Sequence, residues 1–143
     1  MYKKISIEEI NNVDCEIVLD KWGRIAYGVN QSRKVLYDRK RNLYYKIFDK
    51  EYCRRNNFIT AVEKGYYKEV APALLSLIVD GDDIVGYISE GGETLTTPNS
   101  IHTLQEKLVK LVDDTKLFYY DLVPQNIVVM KNTGKLSLID LES

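Results

Sequence analysis

Tyr119-Tyr120-Asp121-Leu122-Val123-Pro124-Gln125-Asn126 leads into two short apolar runs and then Asp140. The runs are Ile127-Val128-Val129-Met130 and Lys135-Leu136-Ser137-Leu138-Ile139, separated by Lys131-Asn132-Thr133-Gly134. Apolar runs on either side of an Asn/Thr/Gly turn predict a β-hairpin. A hairpin brings its two ends together, so Asn126, entering the first strand, and Asp140, leaving the second, are expected to be neighbours. Asp121 stands five residues before Asn126, on the loop that feeds the hairpin. Two oxygen ligands side by side, with a further carboxylate on the preceding loop, suit Mg2+, a hard cation that takes oxygen donors. A surface hairpin with an aspartate at each end is the plainer alternative. Three groups in this order favour the metal-handling one.

The order Tyr-Asp-Leu-x-Pro-x-Asn, hairpin, Ile-Asp-Leu-Glu resembles the catalytic loop and metal-binding motif of the protein-kinase-like fold. The resemblance implies that Asp121 orients or deprotonates an acceptor hydroxyl and that Asn126 and Asp140 hold Mg2+. Tyr119-Tyr120 replaces the family's His-Arg, Val123 replaces a Lys, and Asp140-Leu141-Glu142 replaces Asp-Phe-Gly. The metal ligands match the family, whereas the acceptor-side details do not.

Upstream segments follow in the family's order. Leu43-Tyr44-Tyr45-Lys46-Ile47-Phe48 reads as a strand with one lysine inside it, and an ammonium is rarely buried without a partner. The resemblance makes Lys46 the holder of the α/β-phosphates, paired with a glutamate on the next helix. That helix is expected over residues 51–68, where Tyr52, Arg55, Ile59, Val62 and Tyr66 recur at helical spacing. Glu63 lies at the edge of this stripe and is the chosen partner. Glu69, beyond Gly65, is the alternative. Without the resemblance, Lys46 reads as a snorkelling strand residue and Glu63 as part of a solvated helix face. Strands are expected over 15–22 and 35–37, and between them Gly28 and Asn30 fall where the family carries a phosphate-binding glycine loop. Asn tolerates the positive φ that glycine supplies there, while Arg33 takes the third glycine's place. The run 28–37 into Tyr45-Lys46 also looks like the start of small bacterial kinase-like proteins of the YrbL type.

A second hairpin is expected over 73–79 and 84–89 around the turn Asp80-Gly81-Asp82-Asp83, itself read as solvated. Ile88-Ser89-Glu90-Gly91-Gly92 then takes the place of the family's hinge. There, backbone groups of Ser89, Glu90 and Gly91 would bind adenine and Ile88 would line the pocket behind it. Residues 99–116 carry one apolar stripe (Ile101, Leu104, Leu108, Leu111, Val112) and a polar opposite side. The chain ends three residues after Asp140. The one-sided helix leads to the expectation of a complete minimal domain and a monomer.

The expected fold class is therefore α+β, protein-kinase-like. It comprises an antiparallel N-lobe sheet with one αC-type helix, and a minimal C-lobe of one helix, the catalytic loop and the hairpin. One domain spans 1–143, with about 1–88 as N-lobe, 89–92 as hinge and 93–143 as reduced C-lobe.

Composition sets the remaining bounds. With 143 residues, 45% hydrophobic and 29% charged, the chain suits one globular core. A net charge of −1 argues against nucleic acid as the main ligand, and Arg39-Lys40-Arg41 reads as a solvated turn. Cys15, Cys53 and the sole histidine, His102, have no metal-type spacing. Two cysteines, no signal peptide and no apolar run near 18 residues point to the cytosol and away from a membrane. Ser6-Ile7-Glu8-Glu9 is a capping box for a short helix. Of eleven tyrosines, Tyr66-Tyr67 and Tyr119-Tyr120 read as core residues with hydroxyls at the surface, with a role as phosphate acceptors the alternative.

Three functions are compatible with these residues. The first is an ATP- and Mg2+-dependent phosphotransferase using Lys46, Glu63, Asp121, Asn126 and Asp140, with a small-molecule or protein acceptor. Transfer of AMP would use the same ligands. The second is a catalytically inactive nucleotide-binding module that reports to a regulatory partner. The third is an interaction protein that keeps only the fold.

Overall fold

Strand alternation divides the lysine-bearing strand between two faces: Tyr44, Lys46 and Phe48 share one, and Leu43, Tyr45 and Ile47 the other. The computed structural model describes residues 2–11, 15–17, 32–48, 55–65, 67–94, 106, 127–130, 133–138 and 141. Its elements run β1 (Lys3–Ser6), α1 (Ile7–Asn11), β2 (Glu16–Ile17), β3 (Ser32–Asp38), β4 (Leu43–Phe48), α2 (Arg55–Glu63), α3 (Tyr67–Val70), β5 (Leu74–Asp80), β6 (Asp83–Glu90), β7 (Glu93–Thr94), β8 (Ile127–Val129) and β9 (Leu136–Leu138).

The fold is α+β. A six-stranded sheet has the order β1-β5-β6-β4-β3-β2, and β7-β8-β9 form a second, three-stranded sheet. The first sheet is mixed, not antiparallel throughout, because β1 pairs parallel with β5 in the register Ile5↔Ile78. This strand was not expected from the sequence. The physical reason for it is apolar burial. Together β1 and α1 lay Ile5, Ile7 and Ile10 onto the face formed by Leu36, Tyr45, Ile78, Val85 and Ile88. Ser6 caps α1, its Oγ accepting the amide of Glu8 at 3.3 Å, which is the N-cap half of the expected capping box.

The opposite face carries the larger core, where α2 and α3 meet Phe48, Leu77 and Tyr87 together with Ile127, Leu138 and Leu141. The helix expected over 51–68 is two helices. Gly65, at φ 74°, accepts the left-handed conformation that ends α2, and its amide closes on the Val62 carbonyl at 3.0 Å. The buried stripe is also offset from the expected one. Phe58 and Ala61 face the core, with Ile59 and Val62 packed beside them.

Both predicted hairpins form. Gly81 (φ 62°) turns β5 into β6, and Gly134 (φ 68°) sits in the β8–β9 turn. The expected helix over 99–116 lies outside the described residues except for Glu106, which is helical and exposed. Arg39 and Arg41 lie in the exposed β3–β4 turn and are engaged locally, by Glu16 at 3.1 Å and Asp38 at 3.8 Å.

Strands β4 and β6 approach closely at Gly86, where a Cβ would stand 2.1 Å from the Lys46 carbonyl oxygen. Backbone cannot yield as a side chain can. Gly86→Ala is therefore expected to lose about 2–3 kcal/mol, read as a lower urea midpoint at unchanged slope. An unchanged midpoint would contradict this.

Burial pushes the phenols of Tyr2, Tyr44 and Tyr45 above 10.0. Tyr37 adds to the shift at Tyr44, and Cys15 and Asp38 add to it at Tyr45 while Arg41 opposes it. The unfolded chain then ionises first, so this contribution is intact below pH 10 and is lost as pH rises through the raised values. Urea midpoints should stay level from neutrality to about pH 10 and fall above it. A midpoint that stays level above pH 10 would contradict the burial of these phenols.

Candidate functional site

Lys46 and Tyr87 are direct partners across β4 and β6. The Lys46 ammonium stands 5.8 Å from the centre of the Tyr87 ring, within cation–π range. Tyr87 is fully buried, and its hydroxyl oxygen accepts the Leu141 amide at 3.2 Å. The Tyr67 hydroxyl donates to the Leu141 carbonyl at 3.3 Å. Both backbone polar groups of Leu141, the residue after Asp140, are thus held by buried phenols. An unpaired buried group of this kind costs about 1–3 kcal/mol, so the clamp fixes where this part of the chain lies against the large sheet. Sequence reasoning put Tyr67 in the core but its hydroxyl at the surface. The hydroxyl turns inward because Leu141 offers it a buried acceptor.

The hairpin contributes a second constraint. Ile127 pairs with Leu138, so the chain entering β8 and the chain leaving β9 start from one rung. The hairpin is tied to the first sheet by Ser137, whose buried hydroxyl accepts the Ala73 amide and donates to the Leu138 carbonyl, both at 3.0 Å. Asp121, Asn126 and Asp140 lie outside the described residues, as do Gly28 and Asn30. Among the described residues, no group of three His, Cys, Asp or Glu side chains gathers as a metal site.

The segment expected to meet adenine is largely occupied by its own chain. Ser89 is buried and pairs with Tyr44. The Glu90 amide donates to the Ala73 carbonyl and the Gly91 amide to the Asn42 carbonyl, each at 2.9 Å. The Asn42 side-chain amide returns a bond to the Gly91 carbonyl at 2.9 Å. A Cβ on Gly91 would lie 2.3 Å from Asn42 Oδ1, and one on Gly92 2.8 Å from the Val129 carbonyl oxygen. The Gly-Gly pair therefore threads between the β3–β4 turn and β8. Ile88 faces the α1 side of the sheet, in the cluster with Tyr45 and Ile78, and does not share a face with Lys46.

Glu63 is exposed. It stands about 140° around the helix from Phe58 at 100° per residue, so the face that buries Phe58 turns Glu63 away. Among the described residues no ion pair joins it to Lys46, and Glu63 instead lines a cleft with Tyr2, Lys4, Lys64 and Lys68.

Neither a protein-family model nor a curated protein matches this chain. No helix among the described residues is long and apolar enough to cross a membrane. What the geometry assembles is an ammonium on the helix-covered face of the sheet, an aromatic ring beneath it, and a clamp from that ring to the residue after Asp140. Tyr87 and Tyr67 carry this arrangement and were not singled out as site residues in the sequence. Their signal was weak, because apolar packing explains a strand or helix tyrosine equally well.

Tyr87→Phe and Tyr67→Phe each keep the ring and remove one bond to Leu141. Each should cost about 1–2 kcal/mol in urea unfolding, and the pair should be non-additive because both act on one residue. Additive losses would mean that the two hydroxyls do not act together.

Proposed function

We propose that this chain is a minimal protein-kinase-like phosphotransferase using ATP and Mg2+. The observation that carries the reading is the Tyr87 bridge. The ring beneath the Lys46 ammonium also binds, through its hydroxyl, the amide next to Asp140. The strand order supports it as well. The lysine strand β4 lies between β3, which follows the Gly28–Asn30 segment, and β6, which runs into Ser89–Gly91.

In this reading Lys46 neutralises the nucleotide phosphates. The amide oxygen of Asn126 and the carboxylate of Asp140 form a hard donor set of the kind Mg2+ prefers, and the ion would supply charge neutralisation. Asp121 accepts the proton of the acceptor hydroxyl as its oxygen bonds to the terminal phosphorus and the bond to the departing diphosphate breaks. Such transfer depends mostly on positioning and charge stabilisation. The Glu63 position in the exposed cleft, away from Lys46, favours a second reading, a nucleotide-binding module without transfer. A protein acceptor or regulatory partner and a cytoplasmic setting belong to the same proposal.

Thermal unfolding with ATP and Mg2+ tests nucleotide binding. Ligand at about 100 times its dissociation constant adds about 2.7 kcal/mol, a rise of roughly 9 °C for a chain of this length. Lys46→Gln and Asp140→Asn should each abolish most of that rise, and no rise in the parent would refute both readings. Transfer of labelled terminal phosphate to water, to the chain or to an added acceptor separates the two. Transfer that Asp121→Asn lowers at least tenfold supports the enzyme, and binding without transfer supports the module.

A further inference from the structure

Lys46, Tyr87 and Leu141 are not among the residues lining the cleft that receives Glu63, although Leu77 in its floor pairs with Tyr87. Its walls are Tyr2 and Lys4 of the β1 segment, Val62 to Gly65 at the end of α2, Lys68 of α3, Leu77 of β5 and Ile84 of β6. The volume is about 380 Å3, within the roughly 300–1,000 Å3 of small-molecule sites. Tyr2, Val62, Leu77 and Ile84 give it an apolar floor continuous with the large core. Lys4, Lys64 and Lys68 are exposed at its rim, and Glu63 is the one carboxylate among them.

The charge balance decides the ligand class. Among the described residues, three ammonium groups line the cleft with one carboxylate and the carbonyl end of α2, which carries roughly half a negative charge. The balance stays positive. A neutral apolar body would satisfy the floor but not the rim, and an inorganic anion would satisfy the rim but not the floor. We propose that this cleft binds a small amphipathic anion: a carboxylate or phosphate ester borne on an aromatic or short aliphatic body. The body packs on Tyr2, Leu77 and Ile84, and the anionic group meets Lys4, Lys64 and Lys68. The site stands independently of the nucleotide reading.

The test uses the full chain and 8-anilinonaphthalene-1-sulfonate, an aromatic anion whose fluorescence rises in apolar surroundings. Its uncharged relative N-phenyl-1-naphthylamine serves as the comparison. Saturable binding of one equivalent is expected, with amide shifts in a nitrogen–proton spectrum centred on Tyr2, Lys4, Gly65 and Ile84. The double variant Lys64→Gln/Lys68→Gln changes exposed positions only and should weaken the anion roughly tenfold, since each exposed charge contributes up to about fivefold. The uncharged relative should bind at least tenfold more weakly than the anion. Equal affinity for both probes, an unchanged affinity in the double variant, or shifts centred elsewhere would each overturn the proposal.

Discussion

Phe58 is the ring on which the described structure settles. It stacks on Tyr67 at 5.6 Å and on Tyr87 at 5.1 Å, and meets Phe48 edge-on at 5.1 Å. These four rings come from α2, α3, β6 and β4, so one residue fixes both helices against the central strands. Aromatic pairs at such separations add about 0.5–1.5 kcal/mol each beyond the area they bury. The two tyrosines extend the same cluster into polar chemistry, because their hydroxyls hold both backbone groups of Leu141. Packing and hydrogen bonding thereby become one constraint. The rings cannot shift without breaking the bonds to Leu141, and Leu141 cannot leave without stranding buried groups.

This constraint orders the helix-covered face. Lys46 shares that face, with its ammonium within cation–π range of the Tyr87 ring. Glu63 is excluded because the helix can bury Phe58 or turn Glu63 toward the sheet, but not both. Burying an aromatic side chain is worth about 1.5–3 kcal/mol, whereas an ion pair drawn under the helix carries the cost of desolvating both charges. The packing therefore sets the helix rotation. The glutamate left outside lines, together with three lysines, a charged, apolar-floored cleft beside the main core.

A different constraint governs the link between the two sheets. A Cβ on Gly91 would displace the Asn42 side chain, and one on Gly92 would run into the Val129 carbonyl oxygen and the Val128 side chain. Asn42, at φ 55°, turns both its carbonyl and its side-chain amide to Gly91. The Tyr37 hydroxyl in turn donates to Asn42 Oδ1 at 2.9 Å. The segment leading from β6 to β7 is thus held by the β3–β4 turn. Two ordinary local features, a left-handed asparagine and a glycine pair, together fix a long-range contact.

The local elements were legible in the sequence because each rests on short-range chemistry. The strand 43–48, the two hairpins and the N-cap at Ser6 follow from alternation, turn residues and a side-chain cap, and the structure forms all of them. The order Asp121, Asn126, Asp140 is a property of the sequence alone and motivates the functional reading. What needed the tertiary structure was whatever depends on a choice between competing burials. Parallel pairing of β1 with β5, the break at Gly65 and the rotation of α2 around Phe58 are set by which apolar groups find a common core. The same competition placed Ile88 on the far face from Lys46 and turned the Tyr67 hydroxyl inward. Sequence spacing states which residues can share a face; only the assembled core decides what that face meets.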